Sequence, residues 1–192
     1  SDGQSTMPYI RPETEPFLEY DLAKLVAGLS SDSKPVVALL GDLPTGPGID
    51  PATRQPHLGW FADQQINAMF ELRRLQANPG SIGDDVNLLM LVHPKALPAE
   101  TLYAVDQFVL RGGRLLVLVD PLAESDPAGM AFGPGQNGQG VTSDLAVLFK
   151  AWGIRYDAGK VVLDSKNAWL MQVDANQAPV RNPALIGLRR EG

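Results

Sequence analysis

The chain contains no cysteine. Disulfides, thiolate zinc sites and every mechanism with a cysteine nucleophile are excluded at once. The absence leaves the compartment open, because periplasmic proteins can also do without cysteine. Histidine is scarce: His57 and His93 are the only two, which leaves little room for a histidine-built metal site. Basic charge is short as well, with 16 Lys and Arg against 22 Asp and Glu, a net charge of −6. A nucleic-acid binder usually carries a basic stripe. The only basic clusters here, Arg73-Arg74 and Arg189-Arg190, read as solvated ends of elements. The longest apolar run, Leu88 to Val92, is far shorter than the about 20 residues of a membrane span. No signal peptide opens the sequence. Any export or anchoring signal of a parent protein is expected to lie outside it.

Recognisable catalytic and nucleotide-binding motifs are missing too. The glycine stretches around Gly46-Pro47-Gly48 and from Gly133 to Gly140 invite a phosphate-loop reading. Neither carries the Lys-Ser/Thr pair that such a loop needs between a strand and a helix. No G-x-G-x-x-G follows the first strand, and no G-x-S-x-G elbow occurs. Neither a cofactor nor a resident metal is expected.

What remains reads as a three-layer α/β domain with a mostly parallel central sheet. At 192 residues the chain suits one domain spanning 1–192. Such a length buries roughly 70% of its unfolded surface without staples. Pro35 to Gly41, Val86 to Val92 and Leu115 to Val119 lack polar alternation, as strands do when both faces are covered by helices. All three are expected to be adjacent and central. Helices are expected over Pro16 to Leu29, Trp60 to Gln76, Pro98 to Leu110 and from a Thr142-Ser143-Asp144 cap through Trp152. Gly112-Gly113 supplies a C-terminal cap. Asp42 to Gly59 reads as a long loop, and Asp126 to Gly140 as the least ordered internal segment. Further strands are expected at Ser5 to Ile10, Val161 to Leu163, Trp169 to Val173 and Ala184 to Leu188. Asp2-Gly3 is a turn signal with nothing before it, and the last strand runs almost into the terminus. Both suggest a piece of a larger protein.

In open parallel sheets ligands bind outside the carboxyl ends of the strands. Those ends here are Gly41-Asp42, His93-Pro94 and Asp120-Pro121. Asp42, His93 and Asp120 are therefore the candidates for an acid–base pair or a weak metal site. Trp60 is the candidate exposed aromatic. The plainer reading is the stronger one, since Asp-Pro and His-Pro after a strand are ordinary turn starters. A serine partner for His93 would come from the loops, with Ser125 the nearest by topology.

The segment Asp85 to Pro98, DVNLLMLVHPKALP, continues into Thr101 to Pro121, TLYAVDQFVLRGGRLLVLVDP. This stretch resembles the auxiliary component of uncharacterised bacterial ABC transport systems, a family that includes gliding-motility-associated proteins. FLEYDLAKL at Phe17 to Leu25 and WGIRYDAGK at Trp152 to Lys160 are similar to the same family. The resemblance implies a Rossmann-like fold akin to class I glutamine amidotransferases. It implies an extracytoplasmic, periplasmic-side domain, anchored by membrane segments that this sequence does not contain. The partners implied are the permease and ATPase subunits of the transporter. Amidotransferases of that class use a cysteine nucleophile at a strand-to-helix elbow, so their activity does not carry over. The favoured expectation is a non-enzymatic scaffold or partner-binding domain. The rivals are a binding domain for a sugar or peptide in the strand-end crevice, and a hydrolase using the carboxylates there.

Overall fold

Strand β1, Val36–Gly41, is apolar throughout, and its first five residues are all buried. That places it in the middle of a sheet, as its composition requires. The computed structural model describes residues 12–29, 33–49, 54–123, 125–126, 141–172 and 178–187. The expected strand at Ser5 to Ile10 lies outside these residues.

A short 3-10 turn at Pro12–Phe17 leads into α1, Leu18–Leu29. After β1 come β2, Gly48–Ile49, and β3, Pro56–His57, a two-residue antiparallel pair inside the expected loop. Then follow α2, Phe61–Met69, β4, Glu71–Arg74, and β5, Val86–Val92. The unit continues with α3, Ala99–Leu110, β6, Arg114–Leu118, and α4, Ala146–Ala151. Beyond it lie β7, Ala168–Met171, and β8, Val180–Ile186. The chain divides into two compact units, Ser1–Ile154 and Arg155–Gly192.

The first unit holds a four-stranded, all-parallel sheet in the order β4-β1-β5-β6. The chain leaves β1 toward β4 through α2, then leaves β5 toward β6 through α3. Right-handed crossovers running in opposite directions put those helices on opposite faces, which gives the three-layer Rossmann-like arrangement. The winding reverses between β1 and β5. Ala38, Leu89 and Leu91 are 0% exposed, and Val105 and Phe108 of α3 are buried as well. Gly41 is required where it stands, because a Cβ there would overlap the carbonyl oxygen of Val92 on the neighbouring strand.

Three expectations are corrected. The helix from Trp60 ends at Met69, and Glu71–Arg74 joins the sheet instead. ELRR has good helix formers, but its backbone gains a parallel partner: Glu71 N donates to Pro35 O and Leu75 N to Leu39 O. Strand β6 lies at the edge of the described sheet rather than in its centre. Its exposure alternates, and Leu116 and Leu118 remain 41% and 47% exposed. Helix α1 has the expected apolar stripe but buries none of it completely; Leu22, Val26 and Leu29 stay exposed. Val161 to Leu163 forms no strand and is exposed.

In the second unit β7 and β8 pair antiparallel. The turn before β7 is built on Asp164, whose carboxylate accepts from the Asn167 side chain and from the backbone N–H groups of Asn167 and Lys166. The Asn167 bonds, with that of Lys166, hold this carboxyl below the usual carboxylate range.

Among the described residues, the buried Thr101 hydroxyl has no hydrogen-bond partner. Thr101 sits in the first turn of α3 at 0% exposure with its Oγ1 unbonded. Thr101→Val is therefore expected to raise stability by about 1 kcal/mol. Leu89→Ala is expected to cost about 2–5 kcal/mol. Denaturant unfolding of the two variants checks both signs.

Candidate functional site

The reversal between β1 and β5 is where an open α/β sheet presents its crevice. Asp42 follows β1 and His93 follows β5, so the two flank that point. Asp120 follows β6, one strand further along.

His93 is the centre of what the structure assembles. Its backbone takes a left-handed conformation, φ 49, and Ala96 three residues on has φ 39. Such conformations are costly for residues other than glycine and persist only where the surroundings hold them. A residue before proline normally prefers extended backbone, so His93 departs from that preference here. The turn aims the imidazole inward, and the residue is 2% exposed. Nδ1 lies 2.8 Å from Ser143 Oγ, and Nε2 lies 3.0 Å from Asp126 Oδ2. Ser143 Oγ also accepts the Asp120 backbone N–H at 2.9 Å. With a singly protonated ring, one assignment satisfies every group. Nε2–H donates to Asp126, Nδ1 accepts from the Ser143 hydroxyl, and that hydroxyl accepts from Asp120.

Lys95 joins the set from the same turn. Its ammonium donates to Asp126 Oδ2 at 2.5 Å, and its backbone N–H donates to Asp42 Oδ2 at 3.0 Å. Asp126 and Ser143 are each 2% exposed. The Asp126 carboxylate is therefore buried, while the Lys95 side chain keeps 24% exposure. Asp42 and Asp120 stay on the rim as exposed carboxylates. Asp120 Oδ1 accepts the Leu122 N–H at 2.8 Å, a turn cap of the kind its Asp-Pro context predicts.

So the structure brings Asp42, His93 and Asp120 together, joined through Lys95 and Ser143. Trp60 is not among them. Its backbone N–H donates to Thr45 O, and its side chain is 39% exposed at the start of α2. Beside it lies a second polar cluster that sequence reading passes over. The Arg74 guanidinium, at the end of β4, bonds the buried Asp63 and Thr45 Oγ1. Arg74 had read as a solvated end.

Sequence reading also misses Lys95, Asp126 and Ser143. Asp126 had been placed at the start of a loose segment; it is buried and bonded instead, while residues 127–140 lie outside the described residues. Ser143, not Ser125, meets His93. The Thr142-Ser143-Asp144 cap signal marks the right place for another reason, and there Asp144 does the capping, through Ala146 N.

The line Asp126–His93–Ser143 has the residue types of a hydrolytic triad but not its arrangement. In that triad the serine faces Nε2, the aspartate faces Nδ1, and the hydroxyl opens onto substrate. Here the ring is reversed and the hydroxyl is enclosed. The set is suited to holding three chain segments in place. Among the described residues no group of three or more His, Asp or Glu is disposed to hold a metal ion. No described helix is long and apolar enough to cross a membrane.

If the cluster is a clasp, its members are coupled. Ser143→Ala leaves a buried imidazole nitrogen and the Asp120 N–H unpaired and is expected to cost about 1–3 kcal/mol. His93→Ala is expected to cost more, and the double variant less than the sum, with a coupling of about 0.5–3 kcal/mol. A double-mutant cycle by urea unfolding reads this directly.

Compared with known families, residues 34–191 match the model described as ABC-type uncharacterized transport system. No curated protein and no solved structure matches the chain. The matched stretch covers most of the sequence, and the chain belongs to this family, an auxiliary component of ABC-type transport systems.

Proposed function

We propose that this domain is a non-enzymatic auxiliary or scaffold domain of an ABC transport system, acting by binding protein partners on the extracytoplasmic side of the membrane. The observation that carries the non-enzymatic part is the enclosure of Ser143. Covalent catalysis needs an activated nucleophile within reach of both a base and a substrate. The hydroxyl that meets His93 is 2% exposed and already bonded on both sides. Family membership supports the transport part. The partners proposed are the permease and ATPase subunits, reached through the full-length parent, whose membrane segments supply the anchor. A role in gliding motility is the specific variant that the central segment's resemblance favours.

Two experiments test this reading. The full-length parent, solubilised and affinity-purified, is expected to bring an ATPase or permease subunit with it; recovery without either counts against the transport role. A fluorophosphonate probe is expected to leave Ser143 unlabelled in the folded chain. Labelling that disappears in both Ser143→Ala and His93→Ala would overturn the non-enzymatic part.

The position of Asp42 and Asp120 on the rim of the switch point favours a second reading, a binding site for a small polar ligand such as a sugar or peptide. A ligand at 100 times its dissociation constant adds about 2.7 kcal/mol to stability. A thermal-shift screen that finds such a ligand, with the shift lost in Asp42→Ala, would establish it.

A further inference from the structure

The two edges of the parallel sheet are built differently. The outer strand β4 carries Glu71, Arg73 and Arg74, and Arg73 is paired with both Glu71 and Asp85. Charges of this kind protect an edge from pairing with another strand. The opposite edge, β6, reads Arg-Leu-Leu-Val-Leu and has no charge between Arg114 and Asp120. Among the described residues no strand pairs with its outer side.

The direction of the free backbone groups follows from one bond. His93 N–H donates to Leu118 O at 2.9 Å, so the Leu118 carbonyl points at β5. Neighbouring residues of a strand point their backbone groups to opposite sides. The N–H and C=O of Leu115, Val117 and Val119 therefore face outward. On the perpendicular axis, Arg114, Leu116, Leu118 and Asp120 share one face, where both leucines are about half exposed.

We infer that β6 is a self-association edge whose occupant is β6 of a second copy of this chain, paired antiparallel about a two-fold axis at Val117. That register sets Val117 opposite Val117 of the other copy as a hydrogen-bonded pair, with Leu115 opposite Val119. It sets Leu116 opposite Leu118, and Arg114 opposite Asp120. The two leucine pairs close over each other on the exposed face, and each end is sealed by opposite charges on that same face. Cross-strand pairs of both kinds are stabilising. Arg114 has no ion pair among the described residues, and Asp120 spends one carboxylate oxygen on its turn and keeps the other available. Shifting the register by one residue in either direction separates the charges and offsets the leucines. The pairing is isologous, so it closes at a dimer and does not propagate. It stands independently of the transport reading.

The test uses the whole chain. Sedimentation velocity over a concentration series is expected to show a reversible monomer–dimer equilibrium. Arg114→Asp and Asp120→Arg are each expected to weaken the dimer about tenfold, since each sets like charges opposite one another at both ends. The double variant Arg114→Asp/Asp120→Arg is expected to restore it. Because the chain has no cysteine, Val117→Cys gives a second readout. Opposed residues of a hydrogen-bonded antiparallel pair have Cα atoms about 5.5 Å apart, within disulfide reach. Mild oxidation of Val117→Cys is expected to give a covalent dimer. A monomer at every concentration together with no cross-link overturns the proposal. A dimer indifferent to both charge reversals, or one that Val117→Cys does not cross-link, overturns this interface.

Discussion

A single buried imidazole ties the carboxyl edge of the sheet together. His93 stands where β5 leaves the sheet. Its backbone N–H reaches β6 through Leu118, and its ring reaches two loop segments through Asp126 and Ser143. Those segments lie fifty residues or fewer from it in sequence but come from beyond β6. Through Ser143 the contact extends to the start of the turn at Asp120, and through Lys95 to Asp42 at the end of β1. Three of the four parallel strands are thus linked at their ends by one side chain and its neighbours. Each bond is worth about 1 kcal/mol net, but an unpaired member of a buried network costs more than that. The network therefore defines one arrangement of these loops and penalises others, which is a larger effect than its contribution to stability.

The parallel sheet was legible in the sequence because burial on both faces removes polar residues from a strand. Val36 to Leu40 and Val86 to Val92 declare this plainly. Leu115 to Val119 declares it too, yet β6 is an edge strand: composition records apolar character but not how many neighbours a strand has. ELRR at Glu71 to Arg74 was misread for the opposite reason. Its residues favour a helix, and only the exposed side of β1, fixed by tertiary structure, makes them a strand. At the site, the strand-end rule found Asp42, His93 and Asp120, since it depends on topology alone. Lys95, Asp126 and Ser143 were missed because their meeting depends on loop paths of no fixed length, for which a single sequence carries no period to read.

The same topology explains why the charged rim and the buried line are separate things. Asp42 and Asp120 follow β1 and β6 as exposed residues, so their side chains stay near solvent. Asp126 and Ser143 approach from loops that pass over the strand ends, and they bury whatever lies beneath. An inward-pointing histidine under such loops is well placed to hydrogen-bond them and poorly placed to meet a substrate. Lys95 is the only described member of the set that reaches both the buried carboxylate and solvent.

The left-handed residue between β5 and α3 sharpens this point. In enzymes that use a nucleophile elbow, a strained strand-to-helix turn lifts the reactive side chain out of the sheet toward substrate. Here a comparable strain is present at His93, but the ring is turned into the protein and used up by two bonds. Strain of that kind is held by the surrounding contacts and serves to direct a side chain. The side chain it directs in this fold is a connector, placed to fix the loops that form the upper surface of the domain. Fixed loops at the strand ends would lower the ordering cost of any binding there.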